Sequence, residues 1–140
     1  MPLNINIIAI LVAVVANFIL QMIWYTALFS KIWSKEMGYD PNMRPDKKAM
    51  FKGMALTVVG TFLFAWVLAF YLAGWQYIPG AKEMSPLVTG INSAISVWIG
   101  FFVPVQLSRV VWEKHSWKLF FINSSYHLVA TVVVALVLSY

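Results

Sequence analysis

A cluster of polar side chains interrupts an otherwise apolar stretch, FFINSSYHLVATVVV, at residues 120–134. Serine near histidine is a combination used in nucleophilic catalysis, in which the histidine takes the serine proton. Here Ser124 and Ser125 precede His127 by three and two positions, a spacing that does not converge well on one reaction centre. The stretch also contains no acidic side chain that would orient the histidine. The cluster therefore does not predict acyl-transfer chemistry.

The sequence does not support metal or cofactor chemistry either. A zinc site normally takes three or four ligands, whereas the chain has no cysteine and only two histidines. His115 and His127 would lie about 18 Å apart on one helix. No paired carboxylates and no glycine-rich phosphate loop are present in the sequence. We therefore expect no metal, no cofactor and no enzymatic activity.

The amino-acid composition indicates that the polar cluster lies within a membrane-spanning segment. Of the 140 residues, 61% are hydrophobic and 11% are charged. A helix needs about 20 apolar residues to cross a hydrocarbon layer of roughly 30 Å. Four runs meet this requirement, and their connections are short, which is typical of an up-down bundle. We predict an all-α, integral membrane protein with a single domain over residues 1–140 and spans at residues 5–28, 50–73, 87–107 and 117–140.

The distribution of basic residues predicts the orientation of these spans. Six basic residues lie within residues 29–52 and three within residues 107–118, whereas the connection at residues 74–86 carries only Lys82. Loops rich in lysine and arginine remain in the cytoplasm. Both termini are therefore predicted on the outer side of a cytoplasmic membrane. In this setting the positive charge indicates attraction to anionic lipid headgroups and not a nucleic-acid site.

Local signals predict where helices begin and end. Glycine at the end of a helix and a serine or aspartate before its first turn are typical boundaries. A proline inside a span removes one backbone hydrogen bond and predicts a kink. The predicted end of an extended first helix is Gly38, the predicted starts are Asp46, Ser85–Pro86 and Ser116, and the predicted kink is at Pro104.

Small or hydroxylated residues recur every four positions along the spans. Such rows allow close approach of helix backbones in a membrane, where no hydrophobic force drives helices together. The predicted helix-packing residues are Gly53, Thr57, Thr61, Ala65, Ala69 and Gly100.

Polar residues from different spans fall at similar depths. From the rise of a helix, His127 lies about 15 Å into the last span, close to the bilayer centre. An ionisable residue at this depth indicates a proton-accepting or ligand-binding group. The alternative is a neutral imidazole that joins helices through hydrogen bonds to Asn17 or Ser96, and the lack of a carboxylate in the spans favours it. The candidate polar intramembrane site is Asn17, Gln21, Ser96, Asn123 and His127.

Three stretches carry a resemblance to a known family. They are NIIAILVAVVANFILQMIWYTALFSKIWSKEMG at residues 6–38, WIGFFVP at 98–104 and VWEKHSWKLFFINSSYHLV at 111–129. Together they resemble a family of small bacterial four-helix membrane proteins catalogued as domain of unknown function 1761. The resemblance implies a four-span protein of a bacterial inner membrane, and it supplies no substrate or mechanism.

Two classes of function are compatible with these observations. The first is a structural or accessory module that associates with itself or joins a membrane complex through its small-residue rows. The second is an oligomeric transporter or channel for a small solute or ion, with the polar site around His127. The sequence favours the first class, because intramembrane carboxylates, the usual groups for proton coupling, are absent from the spans.

Overall fold

A computed structural model describes residues 5–40 and 46–140. Within these residues the chain is helical and has no strand. A short 3₁₀ turn, Ala81–Glu83, lies in one connection, and two π-helical segments, Ile23–Leu28 and Trp98–Phe102, interrupt longer helices. The α-helices are α1 (Ile7–Met22), α2 (Ser30–Met37), α3 (Lys47–Trp75), α4 (Pro86–Val97), α5 (Val103–Trp112) and α6 (Trp117–Ser139).

Four helical stretches of the described chain are long and apolar enough to span a membrane, as the sequence predicts. They are Ile7–Leu28, Lys47–Trp75, Pro86–Trp112 and Trp117–Ser139. The third continues to Trp112, five residues beyond the end that hydropathy alone indicates. This last part is the amphipathic helix α5, whose one buried residue is Gln106.

The predicted helix boundaries are confirmed by their hydrogen bonds. The Asp46 carboxylate accepts from the backbone N–H of Lys48, and the Ser85 and Ser116 hydroxyls accept from N–H groups three residues later. These caps satisfy donors that have no partner within the helix. Gly38 ends α2 with a φ of 76°, a left-handed conformation that glycine adopts without a steric penalty. The predicted extension of the first helix to Gly38 was wrong in one respect, because the non-helical backbone of Phe29 makes α2 a separate helix. Arg44, one of the basic residues counted above, lies outside the described residues.

Next to Pro104, where the sequence predicts a kink, the helix contains a π-helical turn. The N–H of Val103 bonds to the carbonyl of Trp98, five residues back, and α5 begins with Pro104 in its first turn. Proline lacks the N–H that a continuing α-helix would use here. A second π-helical turn, which the sequence did not predict, joins the N–H of Phe29 to the carbonyl of Trp24 over 3.0 Å.

Helix α6 is the central element of the bundle. It packs against α1 and α4 most extensively, and it also contacts α3 and α5. In the hydrophobic stretch of α6, 44% of the residues are buried inside the bundle. The corresponding share is at most 22% in each of the other three spans. The apolar core lies between α1, α3, α4 and α6 and consists of Ile10, Ala13, Val14, Ala65, Leu68, Ala69, Ala94, Val134 and Ala135.

A close helix contact lies at Gly90 of α4. A Cβ added there would come within 2.9 Å of the Ser139 hydroxyl oxygen and 3.0 Å of a Leu136 methyl carbon. Gly90 and Ala94, four residues apart, are both buried against α6. This small-residue pair therefore sets the separation of the two helices.

Only some of the predicted helix-packing residues lie inside the bundle. Ala65 and Ala69 are buried in the core, and Thr57 and Thr61 lie half-buried on the same helix. Gly53 and Gly100 differ from the expectation, because both are exposed and a Cβ added at either would meet nothing within 4 Å. The i, i+4 row drifts around the helix by roughly 40° per step, so its ends leave the contact.

Candidate binding cleft

Two tyrosine–asparagine pairs join the first span to α6. The Tyr25 hydroxyl donates to the side-chain oxygen of Asn123 over 2.6 Å, and the Tyr126 hydroxyl donates to that of Asn17 over 3.0 Å. The two tyrosine rings meet edge to face with centroids 5.2 Å apart. Because each span supplies one tyrosine and one asparagine, the two pairs fix the register of the spans against each other.

Asn17 also reaches a third helix. Its amide nitrogen donates to the Thr61 hydroxyl of α3 over 3.1 Å, while its oxygen accepts from Tyr126. The Thr61 hydroxyl in turn donates to the backbone carbonyl of Thr57. Buried polar groups are stable only when they are hydrogen-bonded in this way. Asn17 therefore links α1, α3 and α6 at one depth.

Beside these pairs lies a cleft of about 460 Å³ at the end of the bundle where α2, the start of α3 and the end of α5 meet. We call this end the basic end, because the described residues of its connections carry lysine, arginine and histidine. The cleft is lined by Phe18, Gln21, Met22, Tyr25, Thr26, Trp33, Met37, Gly53, Met54, Thr57, Arg109, His115, Asn123, Tyr126 and His127.

A smaller chamber of about 240 Å³ adjoins the cleft on the side of the bundle centre. Gln21, Thr57, Tyr126 and His127 line both spaces, which makes them neighbouring parts of one depression. The remaining lining of the chamber is Asn17, Gly60, Thr61, Phe64, Phe102, Ala130 and Thr131.

His127 stands where the cleft and the chamber meet. Its ring stacks on Phe102 with centroids 4.5 Å apart and an angle of 19° between the planes. Within residues 5–40 and 46–140, its imidazole makes no hydrogen bond to another side chain or to the backbone. Asn17 is already bonded to Thr61 and Tyr126. The hydrogen bond from His127 to Asn17 or Ser96 that the sequence favoured is therefore absent among the described residues.

Four of the five predicted site residues come together in this depression. Asn17, Gln21, Asn123 and His127 line the cleft, the chamber or both. Ser96 does not join them, because it is exposed on α4 and donates to the carbonyl of Asn92 in its own helix. The amide oxygen of Gln21 is buried and accepts no hydrogen bond from any described residue.

Among the described residues that line the cleft, Arg109 is the one with a permanent charge. Arg109 and His115 line the cleft, and none of the residues lining the cleft or the chamber is a carboxylate. The nearby Glu113 carboxylate lies 3.6 Å from the His115 ring. In the part of the chain that the structure describes, no three His, Asp or Glu side chains converge on a point that would hold a metal ion.

The depression does not continue to the opposite end of the bundle. A separate pocket there is lined by residues that include Asn6, Lys82 and Ser139. Between this pocket and the chamber lies the apolar core, in which Ile10 and Val134 are fully buried. The polar space is therefore open at the basic end and closed at the other.

Two tryptophans position α6 through their indole N–H groups. The Trp24 indole N–H donates to the carbonyl of Ile122 over 3.2 Å, and that of Trp98 donates to the carbonyl of Ser124 over 2.8 Å. Each tryptophan belongs to one of the two π-helical segments. The signal available in the sequence was Pro104, which marks only the second segment.

The fold and the cleft define a small four-helix membrane protein with a polar depression open at one end. The chain belongs to the family described as "Protein of unknown function (DUF1761)", whose model matches residues 8–139. No curated protein and no solved structure matches the chain significantly. The family membership confirms the resemblance carried by the three sequence stretches.

Proposed function

We propose that this protein binds a small molecule in the cleft at its basic end. The observation that supports the proposal is the cleft itself, about 460 Å³ in volume, with aromatic walls and a few convergent polar groups. Sites for small molecules in proteins have volumes of roughly 300–1,000 Å³ and this kind of lining. The Arg109 guanidinium, which lines the cleft, favours a ligand that carries negative charge.

The proposed setting is the inner membrane of a bacterium, with the basic end in the cytoplasm and both termini outside. The excess of lysine and arginine in the two connections of that end supports this orientation. The proposed partners are anionic membrane lipids and the bound ligand, with no nucleic acid and no cofactor. The proposed role is binding or transfer and not catalysis.

The shape of the cleft bears on the two functions considered from the sequence. An open channel needs a continuous polar path, whereas here the apolar core around Ile10 and Val134 separates the two ends. Transport by this bundle would therefore require α1, α3 and α6 to separate along that core. Binding from the basic end requires no such movement.

Labelling of introduced cysteines tests the proposal, because the natural chain contains no cysteine. Thr57 lines both the cleft and the chamber, so Thr57→Cys should react with a charged thiol reagent applied from the basic side. Ala65→Cys, two turns along α3 in the core, and Val59→Cys, exposed on the outer face of the span, are the controls and should stay unreacted. Protection of Thr57→Cys equal to that of the controls would contradict a water-filled cleft.

A structural or accessory role is a second candidate function. The observation in its favour is a row of exposed small residues on α3, where a Cβ added at Gly53 or Gly60 would meet nothing within 4 Å. Such positions allow a second helix to approach closely in a membrane. If the chain self-associates there, Gly60→Cys should form disulfide-linked dimers in membranes and Gly100→Cys, on another span, should not. Monomers from both variants would contradict this role for α3.

A further inference from the structure

An apolar groove adjoins the chamber on the side away from the cleft. The groove has a volume of about 320 Å³ and lies between α3, the end of α4 and the second π-helical segment. Phe64 and Phe102, which meet edge to face with centroids 5.4 Å apart, line both the chamber and the groove. The other groove residues are Val67, Leu68, Tyr71, Val97 and Phe101.

The lining becomes less polar from the cleft at the basic end, through the chamber, to the groove. Arg109 and His115 line only the cleft at the basic end, and the groove is lined by apolar and aromatic residues throughout. In the chamber between them the polar side chains are largely bonded to protein groups. Asn17 bonds to Thr61 and Tyr126, and Thr131 donates to the carbonyl of His127. An alkyl chain in the chamber therefore leaves these bonded groups paired. The Gln21 amide oxygen and the His127 imidazole, which are not bonded to described residues, also line the cleft, where the headgroup and water are available to them.

We propose, on the basis of the binding function above, that the ligand is an anionic amphiphile. Its acidic headgroup lies in the cleft against Arg109, and one alkyl chain extends past Phe102 toward the groove. Guanidinium groups form strong charge-assisted hydrogen bonds with carboxylates and phosphates. The buried amide oxygen of Gln21, unpaired among the described residues, is an acceptor for a headgroup hydroxyl of the kind that phosphatidylglycerol has and a fatty-acid anion lacks.

The dimensions agree with a single lipid chain. Arg109 and Val97 are twelve residues apart on the third span, or about 18 Å along the helix. One leaflet of the hydrocarbon layer is about half of roughly 30 Å. A chain whose headgroup lies at the basic end therefore reaches the groove near mid-membrane.

The alkyl chain of the ligand has a lateral route into the chamber. Gly60 is exposed, lines the chamber, and leaves open space where a side chain would stand. It faces the chamber from α3, and Phe102 faces it from the third span. The open space at Gly60 is the route by which an amphiphile would enter the chamber from the lipid.

The test uses purified Thr57→Cys protein in uncharged detergent. We expect palmitate to slow thiol labelling, while hexadecanol, with the same chain and no charge, and octanoate, with the same charge and a short chain, have little effect. Dipalmitoyl phosphatidylglycerol forms a second arm. Protection by palmitate alone indicates a free fatty acid, and protection by the phospholipid indicates a membrane lipid.

Charge variants in the same background test the position of the headgroup. Arg109→Gln should raise the palmitate concentration for half-protection about tenfold, the effect of losing one charge-assisted contact. Lys52→Gln is the matched control, because Lys52 is exposed at the same end and does not line the cleft. Unchanged melting temperatures would show that both variants fold.

The outcomes separate this inference from the proposed function. Rapid labelling that neither palmitate nor the phospholipid slows would overturn the amphiphile and leave the cleft as a site for another ligand. Equal protection by palmitate and hexadecanol, or equal half-protection in the Arg109→Gln and Lys52→Gln proteins, would overturn the anionic headgroup. No labelling of Thr57→Cys without any ligand would overturn the cleft and the amphiphile together.

Discussion

Tyr25 and Asn123 are joined by a hydrogen bond of 2.6 Å, with the tyrosine hydroxyl as donor and the asparagine oxygen as acceptor. Asn123 is 7% exposed, so water does not readily replace a lost donor. The residues are 98 positions apart, and the bond connects the first π-helical segment to the first turns of α6. It positions two cleft-lining side chains at once, and so couples the packing of the helices to the shape of the cleft.

Removing this bond should destabilise the protein by a measurable amount. We expect Tyr25→Phe to lower the free energy of unfolding by about 0.5–1.5 kcal/mol, the usual net contribution of such a bond in water or membrane. A double-mutant cycle with Asn123→Leu should show coupling between the two changes. The control is Tyr71→Phe, on an exposed tyrosine. Strictly additive effects of Tyr25→Phe and Asn123→Leu in denaturant unfolding would contradict the bond.

His127 and Asn17 should respond differently to the same substitution. His127→Leu removes a ring stack on Phe102 and no side-chain hydrogen bond within the described chain, so we expect a loss of at most about 1 kcal/mol. Asn17→Leu leaves the buried Tyr126 hydroxyl without its acceptor and should cost about 1–3 kcal/mol. Unfolding in mild detergent measures both. A larger loss for His127→Leu than for Asn17→Leu would restore the hypothesis that His127 joins the helices by hydrogen bonds.

The contact at Gly90 should tolerate no large side chain. Gly90→Leu would force apart α4 and α6 at Ser139 and Leu136, and overpacking of this kind costs roughly 1–3 kcal/mol. Gly100→Leu, the same substitution on the same span at an open position, should change stability little. Melting temperatures of the two variants provide the comparison. Equal melting temperatures would mean that α4 and α6 are not in close contact at Gly90.

The two tryptophan hydrogen bonds should each contribute to the position of α6. Trp98→Phe keeps an aromatic ring and removes the donor to Ser124, so we expect a loss of about 0.5–1.5 kcal/mol. Trp24→Phe should act similarly through Ile122. Trp112→Phe is the control, since Trp112 is 81% exposed. If all three variants unfold at the same denaturant concentration, the indole bonds do not hold α6.

Much of the fold could be predicted because its signals are local. Hydrophobic runs longer than about 20 residues identify membrane spans without knowledge of any neighbour. The same holds for capping residues, since Asp46, Ser85 and Ser116 bond to backbone groups only two or three positions away. Polar residues at one depth also indicated that Asn17 and Asn123 belong to a common site.

The orientation of each helix about its axis could not be predicted in the same way. Ser96 and Asn17 both fall near the middle of a span, yet Asn17 faces α3 and α6 whereas Ser96 faces outward. A nearly uniform apolar span gives little indication of which side is buried. The same uncertainty applied to Gly90 and Gly100, of which only Gly90 packs against another helix.

The sequence by itself determined that the chain forms four apolar helices, where most of them begin and end, and that polar groups lie within them. The tertiary structure alone decided which of these groups meet, because hydrogen bonds such as that between Asn17 and Tyr126 join residues 109 positions apart. It also decided that His127 lines an open space and not a sealed contact, since the chamber beside it is formed jointly by residues of α1, α3, α6 and the third span. The cleft is a property of the spaces between helices, which no single helix encodes.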